Sequence, residues 1–462
     1  MTPLAGRGRL DLGALRAEVE AGRVDTVLLV ITDMQGRLQG KRMAARYLVD
    51  ELLGRDDLDR VEGCDYLLAV DVDMSTVDGY ALSSWARGYG DLAWRPDPAT
   101  LRAIPWHEGT VLLHCDVEYA DGSPVAVAPR AVLRAQLDRL AERGWSALVG
   151  TELEFLVFTD TYEQAWTRGY AGLTPANQYN VDYSILGTAR IEPLLRRIRL
   201  GMEGAGMVVE SAKGECNLGQ HEIAFRYAEA LSTCDNHVLY KTGAKEIAAQ
   251  EGRSVSFMAK YDEREGNSCH VHLSLRDADG GPVFADDSGH GRSGLFDSFL
   301  AGLLAALPEL TLMFAPNVNS YKRFAAGSFA PTTVAWGEDN RTCALRVVGH
   351  APAAVRVENR VPGGDVNPYL AVAAMIAAGL DGIERGLPLE PAYVGNAYAD
   401  TGRPRVPATL RDAAALWSSS ALARKAFGDE VVDHYANMAR VELTAFDAAV
   451  TDWERRRGFE RM

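Results

Sequence analysis

The chain has 462 residues, enough for two or three domains, and 47% of them are hydrophobic, which is ordinary for a packed globular protein. Its formal charge is -15 and its pI about 5.2, which argues against nonspecific nucleic-acid binding, because that needs a basic face. Gly, Arg and Glu punctuate the start of the chain, so no signal peptide is expected, and the six cysteines (64, 115, 216, 234, 269 and 343) form no C-x-x-C pair. A reduced, cytoplasmic protein is the simplest reading.

In chain order, a helix is expected near residues 14–21, a strand at Thr26–Thr32, and short strands near 66–72 and 111–116. Asp33-Met-Gln-Gly36 and Asp121-Gly-Ser-Pro124 read as turns between apolar runs. Gly36-Arg-Leu-Gln-Gly40-Lys41-Arg42 looks like a phosphate-binding loop, but it is one residue short and lacks the Ser or Thr that would hold a metal. Asp71 and Asp73 read as a strand end or turn rather than a metal pair. After Pro129, Val132, Leu133, Leu137 and Leu140 recur at helical spacing. The apolar run 295–316 is interrupted by Asp297, Pro308 and Glu309, so it reads as a core helix and no membrane partner is expected. Helices and short strands alternate without a βαβ rhythm or an internal repeat. An α+β architecture follows, with a soft division into residues 1–115 and 116–462.

The chemistry concentrates in the second region. In Gly150-Thr-Glu-Leu-Glu-Phe155, Glu152 and Glu154 share one face of a strand while Leu153 and Phe155 take the other. Two carboxylates on a buried sheet face repel each other and need cations. Partners suited to a divalent metal stand elsewhere: Glu215 and Glu222 in Gly214-Glu-Cys-Asn-Leu-Gly-Gln-His-Glu222, His270 and His272, and Glu358. His270, His272 and Ser274 alternate on one strand face, as do Arg356, Glu358 and Arg360, for which a strand-edge salt-bridge ladder is the plain alternative. Hard oxygen ligands with a single imidazole suit Mg2+ or Mn2+. Cys216 and Cys269 adjoin proposed ligands, but strand neighbours face oppositely, so both are expected to be packing residues. Arg323, Arg341, Arg346 and Arg360 supply guanidinium forks for carboxylate or phosphate. Two metals and several arginines fit phosphoryl transfer.

Six motifs occur in order: G-x-E-x-E-F, G-E-(x)3-G-Q-H-E, H-x-H-x-S, N-S-Y-K-R, N-R-(x)4-R, and E-x-R before N-P-Y-L. With them the chain resembles the glutamine synthetase family over essentially its full length. The resemblance implies an N-terminal β-grasp domain, a larger catalytic domain, and a homo-oligomer, a dodecamer of two stacked hexameric rings with active sites at subunit junctions. It implies ATP and two or more Mg2+ or Mn2+ ions as cofactors, with glutamate and an amine as substrates. The first metal site would be Glu154, Glu215 and Glu222, and the second Glu152, His270 and Glu358. His272, Ser274 and Arg346 would lie along the nucleotide, with Arg341 and Arg346 neutralising the transferred phosphoryl group. Arg323, Arg341, Arg360 and the backbone at Gly266 would hold glutamate. Asp78 would reach a neighbouring subunit's site as the base toward the amine.

Departures from the family pattern point to the acceptor. Ammonia-using members carry Glu in a flap of pattern G-Y-E-A-P; here Gly327-Ser-Phe-Ala-Pro331 puts Phe329 in its place. Loss of that carboxylate should weaken ammonia use, and an aromatic surface can pack on the methylenes of a larger amine. Tyr80 and Ala81 stand where the family has two serines, and Glu265-Gly-Asn-Ser268 replaces N-G-S-G. Tyr398 lies near the place of the family's adenylylated tyrosine, without the surrounding pattern, so that regulation is not expected. The chain is most similar to glutamine synthetase-like enzymes of actinobacteria that make γ-glutamylethanolamide or γ-glutamylpolyamines. Ethanolamine is the favoured acceptor, with Tyr179 or Tyr183 beside it. A polyamine, ammonia, or a noncatalytic protein keeping the fold are the alternatives.

Overall fold

The computed structural model describes residues 8–54, 58–286, 291–349 and 351–462. Asp11 caps the first helix, Leu12–Glu20, by accepting from the peptide N–H of Ala14 at 2.7 Å. The strands Thr26–Thr32 (β1) and Leu38–Ala44 (β2) form a hairpin with Thr32 opposite Leu38. The Asp33 carboxylate closes its turn by accepting from the N–H groups of Gln35 (3.0 Å) and Arg37 (2.9 Å), and Gly36 takes φ +77°. The stretch resembling a phosphate loop is therefore hairpin.

Val61–Cys64 (β3), Asp91–Pro96 (β4), Arg102–Ala103 (β5) and Thr110–Glu118 (β6) complete a sheet of order β2-β1-β6-β4-β3, with β5 also on β6. β6 runs parallel to β1 and is buried along its whole length. The strand expected at 66–72 does not form. Asp65 instead accepts from the Ser83 hydroxyl (2.5 Å) and the Gly90 N–H (3.1 Å), and the chain curls into the 3-10 turn Asp65–Leu68. Asp71 accepts from the Ser75 N–H, which is the turn reading.

A buried ionic joint ties this sheet to the rest. Arg130, in the first turn of the helix Pro129–Ala141, donates to Asp116 on β6 (2.6 Å), to Asp97 (2.7 Å) and twice to Asp235 (3.1 Å each). The Tyr369 hydroxyl also donates to Asp235, at 2.6 Å. Burial works against the Asp235 carboxylate, yet His114, Arg130 and Tyr369 hold its pKa below the usual range.

The second sheet is centred on the long strand Ser146–Phe158 (β7). Val209–Gly214 (β8), Gln220–Phe225 (β9), Ala228–Glu229 (β10), Ser254–Ser256 (β11), Cys269–Arg276 (β12), Trp336–Glu338 (β13), Leu345–Val348 (β14) and Arg356–Asn359 (β15) join it. The order is β13-β14-β15-β12-β7-β9-β8, with β10 and β11 also on β7. The helices Ala230–Gln250, Gly294–Phe314 and Pro368–Arg385 pack with it into one core. Gly294–Phe314 is long and apolar enough to cross a membrane by length and composition, but most of it is buried inside the fold. It crosses Pro368–Arg385 so closely that a Cβ on Gly302 would stand 2.2 Å from the Ala378 carbonyl, and one on Gly382 2.2 Å from that of Ser298.

Candidate active site

Strand register assembles the site. Glu152 lies opposite His270, and His272 opposite Glu358, which in turn lies opposite Arg346. Glu154 lies opposite Glu222, and Glu222 opposite Lys213. Alternation does the rest: Leu153 and Phe155 are buried on the other face of β7, and Val271 and Leu273 on that of β12. One face of one sheet thus carries acids and bases drawn from six strands.

The carboxylates of Glu154, Glu215 and Glu222 each offer an oxygen within 4.8 Å of the others. Glu154 also accepts from the Ser268 N–H at 2.7 Å and from Gln220 at 3.1 Å. Lys213 pairs with Glu215, and its ammonium stands 5.2 Å from the centre of the Tyr183 ring. Burial pushes Glu222 up to about 8, opposed by Lys213 and reinforced by Glu152, Glu154 and Glu358. So much crowded negative charge with one lysine among it fits a divalent cation held by oxygen ligands.

A second donor set forms around Glu152. Its carboxylate meets His270 Nδ1 at 3.1 Å and His272 Nε2 at 3.0 Å. The three donors that converge within 4.8 Å are Glu152, His272 and Glu358, rather than the expected set with His270, although His270 Nδ1 is 3.5 Å from Glu358. Both imidazoles reach the pair, because they sit two residues apart on β12. Burial and Arg360 lower the pKa of His270, which favours the neutral ring that a metal requires. Glu358 is fully buried between Arg360 (2.7 Å) and Arg346 (3.0 Å), a salt-bridge ladder in which Arg346 takes the place expected for Arg356, whose guanidinium donates to His272 Nδ1 (3.2 Å) instead. Arg346 also pairs with Asp339.

Two cavities flank this row. One, of about 440 Å³, is lined by Glu152, Glu154, Glu215 and Glu222 together with Gly266, Phe329, Arg341, Arg346 and Arg360. The other, of about 490 Å³, is lined by His272, Ser274 and Arg356 among others. Glu152 is the one described residue on both walls. Arg341 is exposed, with no side-chain hydrogen bond or ion pair among the described residues. The first cavity also holds Asp182, Tyr183, Lys213, Cys216 and Glu265.

A model for the catalytic domain of glutamine synthetase matches residues 126–458. This chain belongs to the glutamine synthetase family. It is 67% identical over 454 residues to the γ-glutamylethanolamide synthetase GlnA4 of Streptomyces coelicolor, spanning 98% of this chain and 96% of that one. It is 36% identical over 445 residues to a glutamate–isopropylamine ligase of a Pseudomonas species, spanning 95% and 96%. Among solved structures, GmaS in complex with ADP has a TM-score of 0.82 at 29% identity, over 96% of this chain and 99% of that one. The α+β fold and ATP-dependent carbon–nitrogen ligation with a divalent metal are those of the family.

Within this glutamine synthetase-family site, several side chains stand elsewhere than expected. Arg323 lies behind the wall, 1% exposed, with its fork spent on the carbonyls of Val361 (2.7 Å) and Arg360 (2.9 Å) and on Ser268 Oγ (3.1 Å). It braces Gly266, where a Cβ would come within 3.0 Å of its side chain, and both of its terminal nitrogens already donate to protein oxygens. Cys216 is not packed away, because the strand ends at Gly214 and alternation stops; Cys269 is fully buried, as expected. Tyr183 lines the cavity and Tyr179 does not. Asp78 is exposed and away from this chain's own cavity, held through its carbonyl by Asn437 (3.2 Å) and Arg440 (3.1 Å). Tyr80 is buried, its ring centre 4.6 Å from that of His434. Lys213 and Asp182 were not singled out in the sequence. The Lys213 partnership depends on the β8–β9 pairing, and Asp182 sits in irregular chain with φ +28°.

The raised Glu222 carries a measurable consequence. Mn2+ added to the metal-free protein near pH 7 is expected to displace roughly one proton, with the release fading above about pH 9 and the affinity weakening as pH falls below about 8. Calorimetry in two buffers of different ionisation enthalpy measures this, and proton-free binding at pH 7 would remove Glu222 from the ligand set.

Proposed function

We propose that the chain is a γ-glutamylethanolamide synthetase, an ATP-dependent ligase joining the γ-carboxylate of glutamate to ethanolamine. The observation that carries the acceptor is Phe329. Its half-exposed aromatic ring stands on the wall of the carboxylate-rich cavity, with Tyr183 also on that wall. Ammonia-using relatives place a carboxylate there. An aromatic surface offers the methylenes of a two-carbon amine an apolar contact and offers ammonium no charge.

The chemistry runs in two steps. The terminal phosphoryl of ATP passes to the γ-carboxylate, giving γ-glutamyl phosphate and ADP. The free amine then attacks the acyl carbon, the acyl C–O bond breaks, and phosphate leaves. The ligand sets Glu154–Glu215–Glu222 and Glu152–Glu358 with His270 or His272 would each hold a divalent ion, two or more in all. When bound, such ions supply charge neutralisation between nucleotide phosphates and substrate carboxylate. His272 and Ser274 face the nucleotide side, while Arg360 and the Gly266 backbone face glutamate. Arg341, unpaired and on the wall, offsets the charge that builds on the phosphoryl group, and Arg346 assists from its ladder with Glu358. The amine must lose a proton before attack. Asp78 of a neighbouring copy is the assigned base, within a cytoplasmic dodecamer of stacked hexameric rings.

A second acceptor class has its own observation. Asp182 and Glu265 line the same cavity and could attract a second ammonium, as a polyamine carries. Lys213 on that wall works against it. The test is phosphate release with ATP, Mg2+ and glutamate while ethanolamine, putrescine, spermine or ammonium is supplied in turn, with products identified by mass. Release chiefly with ethanolamine is expected. Release chiefly with spermine would move the assignment to polyamines, and release chiefly with ammonium would end the flap argument. Phe329→Glu is further expected to raise kcat/KM for ammonium by about tenfold and to lower it for ethanolamine, about 1.4 kcal/mol of transition-state binding in each direction.

A further inference from the structure

One wall of the carboxylate-rich cavity, at Ser328 and Phe329, is a short loop whose two ends are held differently. On one side the Ser328 hydroxyl donates to the Ala325 carbonyl at 2.6 Å. On the other, the chain passes through Ala330 into a bracket made by residues 396–406. There the Tyr398 hydroxyl donates to the Ala330 carbonyl (3.1 Å), and Arg405 reaches Thr333 Oγ1 (2.8 Å) and Thr332 Oγ1 (3.1 Å). The Thr333 hydroxyl donates in turn to the Ala397 carbonyl at 2.9 Å. Tyr398 rides on the 3-10 turn Ala397–Ala399, which Asn396 caps by accepting from the Tyr398 N–H at 3.1 Å.

Between these anchors stands Phe329, with φ +58° and its carbonyl receiving Arg360 at 3.3 Å. A bulky side chain rests in the left-handed region only when its surroundings over-determine it. The carbonyl that Tyr398 grips belongs to the next residue, itself buried, so any drift of the loop toward a relaxed backbone must break that bond. Tyr398 itself is on neither cavity wall.

We infer that Tyr398 is a positioning residue for the acceptor amine: its hydroxyl latches Ala330 and thereby sets where the Phe329 ring stands. The inference rests on the acceptor reading given above. It predicts a perturbation that reaches the amine and spares the nucleotide, because His272 and Ser274 line the other cavity, while Arg360 ties the Phe329 carbonyl to the glutamate side.

The experiment compares wild type with Tyr398→Phe, which removes one oxygen and keeps the ring. KM for the amine is expected to rise about fivefold, and the preference for ethanolamine over ammonium in kcat/KM to fall by about as much, while KM for ATP stays within about twofold. Amide hydrogen exchange in residues 325–332 should quicken while β7 is unchanged. In a Phe329→Gly background the same substitution should no longer alter amine KM, since there is no ring to place. An unchanged amine KM overturns the inference, and so does a parallel rise in all three KM values. The comparison uses whichever amine the wild type prefers, so the latch can fail while the ethanolamine assignment stands, and the reverse.

Discussion

Glu154→Ala is expected to lower ATP turnover by at least about a thousandfold, the scale seen when a preorganised charge at a phosphoryl-transfer site is removed. Glu154 is buried, converges with Glu215 and Glu222, and stands where alternation and register both direct it. It also accepts from the Ser268 N–H, so alanine leaves a buried donor without a partner at a cost of roughly 1–3 kcal/mol. Lost activity could then reflect a disturbed Ser268 loop. Glu154→Gln separates the two causes: its amide oxygen can still accept from Ser268, while the ligand charge is gone. Both variants should be inactive, and only the alanine variant should melt earlier. Turnover within about tenfold of wild type in the glutamine variant would sink the assignment of Glu154 as a metal ligand.

The second large effect is structural. Arg130→Met is expected to cost about 3–5 kcal/mol at pH 7, because it takes both guanidinium hydrogen bonds from the buried Asp235, whereas Asp116 and Asp97 keep Arg134. The pH dependence identifies the cause. The folded-state pKa of Asp235 is depressed, so its contribution is present above the ordinary carboxylate range and is lost as pH falls. In the variant His114 and Tyr369 remain but that depression is weakened, and the gap between wild type and Arg130→Met should narrow as pH drops below about 4. Urea melts at several pH values measure it. A gap below about 1 kcal/mol at neutral pH would mean the carboxylates find other partners.

What could be read from the sequence was whatever depends on period two. Glu152 with Glu154, and His270 with His272 and Ser274, share faces because alternate residues on any strand must. Strand pairing was out of reach, since nothing local in Lys213-Gly-Glu215 reveals that Lys213 will face Glu222. Cys216 departs from the expected packing for a related reason: alternation ends at Gly214, where the strand stops. Arg323 shows the limit of residue type as a guide. A guanidinium suits a carboxylate, but it also suits three protein oxygens, and the fold supplied those. The 66–72 stretch was apolar enough for a strand and was bent by a single aspartate, whose partners Ser83 and Gly90 lie far along the chain.

The wall that Glu152 makes between the two cavities has a pharmacological side. A compound seated in the carboxylate-rich chamber leaves the opposite mouth open to competing ligands, and the converse holds for a compound seated in the other chamber. A linker threaded past this one side chain would hold both chambers at once. Its gain would come from effective concentration rather than from new contacts, at millimolar scale for a short tether. A side chain shared by both chambers, more than the shape of either, makes a two-headed inhibitor the natural ligand to build.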